Sequence, residues 1–316
     1  MNRFTTRVIR GMVLTAFITM PAVAALLPPA QTGEFYVGDF VNGRVVVYDA
    51  SGSLLGSFTA PGLSGPRGIV VRQDGTIYVS SQFTSEVFVF DRQRQFKTKF
   101  TSVELAGPTG IAMSDFGELY VSSFNNDQIV VFTPDGTYVR SFSGGGLDGP
   151  NCVAFDSSGD IYVSSALTNN VIKFDRQENL IKTFTGGGLG SPMGIARDNN
   201  DVFYVAGGSS HNIVKFDADG AFLGELRHPD LTSPQGTAFD QRGHLFASSF
   251  FLNNIVEFDP NGAHVRTITE GDLSIPRSIA FTPIPGPNDV HLVFTVEQLN
   301  ALAHEPNDYD KHFKLM

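Results

Sequence analysis

The strongest constraint on this chain is a repeat of 42 residues. A proline marks each step, at Pro66, Pro108, Pro150, Pro192, Pro234 and Pro276. Other series keep the same register: Leu63, Leu105, Leu147, Leu189, Leu231 and Leu273; Tyr36, Tyr78, Tyr120, Tyr162, Tyr204 and Phe246; and Tyr48, Phe90, Phe132, Phe174, Phe216 and Phe258. A period in the forties is typical of propellers, solenoids and repeat arrays.

Each repeat contains four short apolar runs. In the third they are 110–113, 119–122, 129–132 and 138–142, separated by turn-forming residues at 115–117, 125–127 and 134–136. Runs of four to six residues rich in Val, Ile, Tyr and Phe predict strands, and four antiparallel strands per repeat predict a propeller blade. Helical solenoids would need longer stretches with a period of 3.6 residues, which the repeat does not contain.

The repeats predict an all-β fold, a six-bladed β-propeller of four-stranded antiparallel blades over residues 33–285. The register enters at a second strand, Phe35–Val37, and the missing first strand reappears at Pro276–Phe281. Pairing this C-terminal strand with the first blade would close the ring and remove its free sheet edges.

The ends of the chain fall outside the repeat. Residues 1–24 read as a signal peptide, with Arg3, Arg7 and Arg10 before a short apolar run and Ala22-Val23-Ala24 as the cleavage site. Residues 25–32 read as a linker and 286–316 as a C-terminal tail. We expect a secreted or periplasmic monomer without a membrane span. Cleavage would shift the net charge from −10 to −13, which argues against nucleic-acid binding.

The repeats resemble NHL repeats in their Gly-Pro-x-Gly-Ile-Ala, Gly-x-x-Tyr-Val-Ser and Asn-x-Ile/Val-x-x-Phe-Asp segments. The resemblance covers residues 33–285 and is strongest to exported bacterial six-bladed propellers, neighbours of the gluconolactonase-like and streptogramin-lyase-like groups. NHL repeats usually carry Asp after the second strand's Tyr-Val-x. Here that position holds Asp39, Ser81, Ser123, Ser165, Gly207 and Ser249, so the resemblance does not carry over an acidic ring that could hold a cation.

The residue after each repeat proline should form a ring at the channel mouth, because the first strand of a propeller blade is the innermost one. The ring is Arg67, Thr109, Asn151, Met193, Gln235 and Arg277. Two interpretations of its arginines stand side by side. They could bind a carboxylate or sulfate, or they could pair with Asp39 nearby.

Aromatic side chains recur in the loops between the second and third strands on the same face: Phe40, Phe83, Phe124, Phe250 and Phe251. Beside asparagines such as Asn125 and Asn253, they suit stacking on a sugar or a peptide. Packing between neighbouring blades is the alternative.

The sequence gives weaker support for a metal site or a reactive thiol than for binding at the channel mouth. Asp39, Asn151 and Gln235 are candidate Ca²⁺ ligands, although one carboxylate is few for a tight site. The histidines at 211, 228, 244, 264 and 291 fall at different phases of the repeat and should not converge on one ring. Cys152, the only cysteine, should be a buried structural residue.

These patterns predict a ligand-binding or protein-interaction module without a cofactor, which binds a small molecule, glycan or peptide through its channel-mouth face. The alternative is a divalent-metal-dependent hydrolase or lyase of the lactonase or streptogramin-lyase kind, with Ca²⁺ on Asp39, Asn151 and Gln235 and an anionic substrate held by Arg67 or Arg277. Whether the chain is an enzyme stays open, with binding favoured.

Overall fold

The computed structural model describes residues 33–283, which form 24 strands in six four-stranded antiparallel sheets. The predicted six-bladed propeller is confirmed. The predicted signal peptide, the linker and the C-terminal tail lie outside the described residues. Within residues 33–283, no helix is long and apolar enough to reach across a bilayer.

The strands follow the repeat. Blade 1 contains β1 (Phe35–Asp39), β2 (Arg44–Tyr48), β3 (Leu54–Phe58) and the last strand, β24 (Pro276–Phe281). Blade 2 contains β4 (Pro66–Val71), β5 (Ile77–Ser81), β6 (Glu86–Phe90) and β7 (Phe96–Phe100). Blade 3 contains β8 (Pro108–Met113), β9 (Leu119–Ser123), β10 (Gln128–Phe132) and β11 (Tyr138–Phe142).

The second half of the ring repeats this order. Blade 4 contains β12 (Pro150–Phe155), β13 (Ile161–Ser165), β14 (Asn170–Phe174) and β15 (Leu180–Phe184). Blade 5 contains β16 (Pro192–Arg197), β17 (Phe203–Gly207), β18 (Asn212–Phe216) and β19 (Phe222–Leu226). Blade 6 contains β20 (Pro234–Phe239), β21 (Leu245–Ser249), β22 (Asn254–Phe258) and β23 (His264–Ile268).

The ring is closed by the two ends of the repeat region. β24 pairs with β1 in antiparallel register, with Phe281 opposite Phe35 and Ile279 opposite Val37. The Thr282 amide then donates a hydrogen bond to the Glu34 carbonyl at 2.9 Å. The predicted closure is confirmed. Since β24 starts beside the mouth and runs away from it, residues 34 and 282 both lie on the face opposite the mouth.

The core lies between the blades and is built from the repeating aromatic positions. Between blades 1 and 2, Tyr36 meets Phe58 edge-on at 6.1 Å, and Phe58 meets Phe90 at 4.9 Å. All three are buried, together with Val45, Val47 and Ile77. Burying one such side chain contributes about 1.5–3 kcal/mol. Because each cluster joins two neighbouring blades, the ring is held together at every seam.

Candidate binding site at the channel mouth

The predicted ring residues lie where the inner strands begin, at one end of the central channel. A register irregularity follows the repeat proline in each of the blades, for example between Pro66 and Ile69 of β4 and between Pro234 and Thr237 of β20. Irregularities of this kind re-aim side chains at a strand end. A cavity of about 440 Å³ runs along the channel, and its lining includes Arg67, Thr109, Asn151, Gln235 and Arg277.

Glycine allows the inner strands to approach each other backbone to backbone at the mouth. A Cβ on Gly236 would collide with the Arg277 carbonyl oxygen, and one on Gly68 would collide with that of Thr109. Cys152 and Ser278 occupy the equivalent position in blades 4 and 1. The glycines therefore set the spacing that brings the ring side chains around one opening.

Serines of the second strands form hydrogen bonds to the backbone of the inner strands that carry the ring residues. Ser248 accepts a hydrogen bond from the Gly236 amide at 2.9 Å and donates to the Arg277 carbonyl at 2.5 Å. Ser164 does the same between Cys152 and Met193, at 2.8 and 2.6 Å. Sequence reasoning missed these serines, although they recur with the repeat. With Ser80, which binds the Thr109 carbonyl in the same way, they hold the backbones of three ring residues, Thr109, Met193 and Arg277, to the preceding blade.

Arg277 is held between two aromatic rings. Its guanidinium carbon lies 4.6 Å from the ring centroid of Phe40 and 4.7 Å from that of Phe250. Its Nη1 donates to Oε1 of Gln235, while its buried Nε has no hydrogen-bond partner among the described residues. Burial lowers the pKa of Arg277 to about 10. Both rings lie within cation–π distance of the guanidinium and so restrict its orientation at the mouth.

Arg67 adds a second positive charge to the mouth. Its Nη1 donates to Oε1 of Gln82 at 3.3 Å. Burial, and then the positive charge of Arg277, lower the pKa of Arg67 to about 9. The positive charge of Arg277 therefore adds to the cost of ionising Arg67 in the opening that they share.

Asp39 does not neutralise these arginines. Its carboxylate accepts hydrogen bonds from Arg44 at 2.7 Å, Asn42 at 2.9 Å and the Ser274 amide at 2.9 Å. The interpretation that Arg67 and Arg277 pair with Asp39 is therefore wrong. Among residues 33–283, neither arginine forms an ion pair.

The position of Asp39 in the repeat explains this result. In four of the other five blades the same position holds a serine whose hydroxyl binds the linker before the inner strand, as Ser81 binds the Ser64 backbone at 3.0 Å. The side chain at this position points to the linker and not into the channel. Asp39 consequently does not join Asn151 and Gln235 in the cavity lining, and the predicted calcium ligands are not brought together there.

The remaining polar ring residues differ in what they can offer. The Thr109 hydroxyl is buried and donates to the Pro150 carbonyl at 2.8 Å. Gln235 accepts from Arg277, and its amide nitrogen reaches Ser233 at 3.3 Å. The buried amide nitrogen of Asn151 has no partner within the described part of the chain. The free hydrogen-bonding capacity of the ring therefore consists mostly of donors.

The predicted aromatic residues divide into two groups. Phe40 and Phe250 stack on Arg277, whereas Phe83 packs on Phe40 at 5.1 Å and leaves 67% of its surface exposed. Phe251 is also exposed, at 63%, while Phe124 is half-buried beside Gly149. Asn253, predicted to read a ligand, instead accepts the Ile275 amide at 2.9 Å.

Cys152 lines the channel but lacks the environment of a nucleophile. Its thiol is half-buried, and its Sγ lies 3.7 Å from the Val153 carbonyl oxygen. Burial raises the pKa of Cys152 to about 11, so the thiolate is scarce at neutral pH.

Comparison with known proteins places this geometry in a structural context. Streptogramin B lyase superposes with a TM-score of 0.62 at 16% identity, covering 79% of this chain and 87% of that chain. A catalytically inactive virginiamycin B lyase from Staphylococcus aureus with quinupristin gives 0.64 at 14%, covering 79% and 86%. A chain of the nidogen–laminin complex gives 0.69 at 15%, covering 79% and 98%.

The likeness is one of fold. It agrees with the NHL-type resemblance seen in the sequence. No family model matches the chain, and no curated protein matches it.

Proposed function

We propose that this protein is an exported binding module that holds a small anion, or the anionic group of a larger ligand, at the channel mouth. One observation carries the proposal: Arg67 and Arg277 share one opening, and neither forms an ion pair within residues 33–283. The arginine-rich segment at residues 1–24, predicted to be a signal peptide, supports export.

The charge of the rest of the molecule strengthens this argument. The chain carries a net charge of −10, so the two arginines are not part of a generally basic surface. An acidic chain has carboxylates in excess, yet none of those described pairs with these guanidiniums. Like charges in a partly desolvated site repel each other, and an anion bound there relieves the repulsion.

The donor geometry favours a carboxylate, sulfate or phosphate group. Phe40 and Phe250 hold the guanidinium plane of Arg277, so its N–H groups keep one direction. Guanidinium edges bind two oxygens of an oxyanion at once. The amide of Asn151 adds a neutral donor from the same cavity lining. A small acid, an acidic glycan or an acidic peptide side chain meets these requirements.

The proposal is tested by calorimetric titration of the protein from residue 25 onward with sulfate, phosphate and succinate, at constant ionic strength set with chloride. We expect saturable binding of at least one of them, weakened tenfold or more by Arg67→Gln or Arg277→Gln. A charge-assisted hydrogen-bonded contact contributes about 1.5–3 kcal/mol, which corresponds to this loss.

Arg176→Gln is the matched control, because Arg176 also stacks on an aromatic ring, that of Phe116 at 4.9 Å, but is exposed and is not part of the cavity lining. Saturable binding that survives both mouth variants, or that Arg176→Gln weakens equally, would contradict the proposal. So would a flat titration with all three anions.

A metal-dependent hydrolase or lyase is the second candidate. The fold shared with streptogramin B lyase favours it, and the arginines would hold an anionic substrate. The engagement of Asp39 with Arg44 and the positive charge at the mouth both weigh against Ca²⁺ there. Turnover that requires Ca²⁺ and is lost in Asn151→Ala and Gln235→Ala would favour this candidate over the binding module.

A further inference from the structure

Blade 6 departs from the repeat at two positions that touch each other. The first residue of the outer strand is apolar in the other blades: Leu54, Phe96, Tyr138, Leu180 and Phe222. In blades 4 and 5 this side chain packs on the linker that precedes the blade. An added Cβ on Gly145 would meet Leu180, and one on Gly187 would meet Phe222. In blade 6 the same position is His264.

A second histidine occupies the linker that His264 covers. His228 stands where the other blades have Ala60, Ser102, Gly144, Gly186 and Glu270. The rings of His228 and His264 stack with centroids 3.9 Å apart and planes at 11°. His264 thus replaces the apolar residue of the other blades, and His228 stands at a variable position that is histidine in no other blade. Replacing the apolar residue at position 264 by histidine would not by itself require a histidine at position 228, so the presence of His228 needs a separate explanation.

Asp230 completes a group of three. Its Oδ2 lies 3.8 Å from Nδ1 of His228, and one potential ligand atom from each of His228, Asp230 and His264 lies within 4.8 Å of the other two. Thr267 orients the group: its hydroxyl donates to Oδ2 of Asp230 at 2.6 Å and lies 3.0 Å from Nε2 of His264.

We propose that His228, Asp230 and His264 bind a divalent transition-metal ion such as Zn²⁺. Imidazole nitrogen and carboxylate oxygen are the donors that Zn²⁺ accepts, and three protein ligands leave a fourth position for water or a partner's ligand. Thr267 holds the carboxylate as an outer hydrogen-bond donor. His264 is exposed and His228 and Asp230 are half-buried, so the ion has access from solvent.

Binding requires a modest rearrangement. Ligand atoms around a tetrahedral Zn²⁺ are about 3.3 Å apart, so the three groups draw together, and the stacked rings tilt because each lone pair lies in its ring plane. The site joins the start of the outer strand β23 to the linker that connects β19 with β20. Within residues 33–283, the His228 ring has one hydrogen bond that opposes this movement, which it accepts from the Asp230 amide at 3.2 Å.

The surrounding charges permit a cation here. Arg227 is the adjacent basic residue, and its guanidinium already binds the carboxylate of Glu225 at 2.8 and 3.0 Å. A second group of similar composition, Asp240, His244 and Glu257, serves as a contrast. There, the Glu257 carboxylate contacts Arg242 at 3.1 Å, His244 at 2.7 Å and Arg266 at 2.5 Å. Its charge is therefore already balanced by guanidiniums, which leaves it unsuited to bind a metal ion.

Titration of Zn²⁺ into the protein from residue 25 onward, without a polyhistidine tag and at neutral pH, tests the proposal. We expect one tight site per chain, weakened tenfold or more by His264→Phe and by Asp230→Asn. His264→Phe keeps the packing, since phenylalanine stands at this position in blades 2 and 5. Its thermal unfolding without metal should match that of the unaltered protein.

His244→Gln is the matched control and should leave Zn²⁺ affinity unchanged. Absence of a saturable site overturns the proposal, as does binding that survives His264→Phe. Loss of binding in His244→Gln also overturns it and assigns the ion to the other group. Arg277→Gln should bind Zn²⁺ normally, so this result is independent of anion binding at the mouth.

Discussion

Two arginines of this propeller stack on aromatic rings and have opposite surroundings. Arg140, on outer strand β11, lies 5.8 Å from the Tyr120 ring centroid. It binds Glu118 at 2.8 and 2.9 Å and Glu178 at 2.8 Å. Arg277, at the channel mouth, lies between two phenyl rings and forms no ion pair with any described residue. The hydrogen bonds that Arg140 donates to Glu118 raise the pKa of Arg140, whereas burial lowers that of Arg277.

The difference separates a charge that supports the fold from a charge that is available to a ligand. Arg140 joins blade 3 to blade 4 through carboxylates of both. The mouth arginines have no carboxylate partner within the described residues, so we expect them to lower the stability of the protein when no ligand is bound. Functional sites commonly keep groups whose surroundings disfavour their charged form. The comparison therefore predicts opposite effects from similar substitutions.

The largest effect is expected at the backbone that holds the mouth. Gly236→Ala should lower the free energy of unfolding by about 3 kcal/mol, because its Cβ would overlap the Arg277 carbonyl oxygen. Gly186→Ala is the control, since its Cβ would make only ordinary contacts of 3.4 and 3.5 Å. Urea unfolding measures both. Equal losses in the two variants would show that close strand approach does not limit stability at the mouth.

Removal of the arginines should give effects of opposite sign. Arg140→Met should lower stability by about 2 kcal/mol, because Glu118 and Glu178 lose their shared partner. Arg67→Met should raise stability by about 1 kcal/mol in a buffer without oxyanions, because an uncompensated charge is removed. Urea unfolding of both variants provides the comparison. A loss of stability in Arg67→Met would indicate that its charge is compensated after all.

A smaller effect is expected from pH. Arg140 lowers the pKa of Glu118 through a side-chain hydrogen bond, so the unfolded chain takes up the proton first as pH falls. The stability that Glu118 contributes is complete above about pH 5 and is lost as pH falls through its folded pKa. Glu118→Gln should cost about 1 kcal/mol at pH 7, and the difference should shrink by pH 3. Chemical unfolding at both pH values measures it, and a constant difference would contradict this assignment.

Much of the fold could be read from the repeat because the repeat is a physical unit. The positions of Pro66 and its equivalents define the inner strands, and their register fixes the number of blades. The same phase argument placed Arg67, Asn151, Gln235 and Arg277 around one opening. It succeeded because the backbone of every blade is nearly the same.

Asp39 shows where phase alone is insufficient. Its position at the end of β1 was known, but a register irregularity between Val37 and Asp39 decides which way the side chain points. Its partner Ser274 comes from the far end of the chain. The contact between His228 and His264 was missed for a related reason. The histidines were considered only as possible ligands around the channel, whereas these two lie on a linker and an outer strand. The available signal was that His264 replaces an apolar residue of the repeat and that histidine occurs at the position of His228 in no other blade.

Closure of the ring by β24 and β1 also has a mechanical consequence. Residues 34 and 282 lie at the same end of this antiparallel pair, joined by the 2.9 Å hydrogen bond from Thr282 to Glu34. Hydrogen bonds of an antiparallel pair run across the strands, so a force that separates these residues acts along the bonds and breaks them one after another. The propeller should therefore open under tension at blade 1 first, by peeling, while the other five blades keep their sheets.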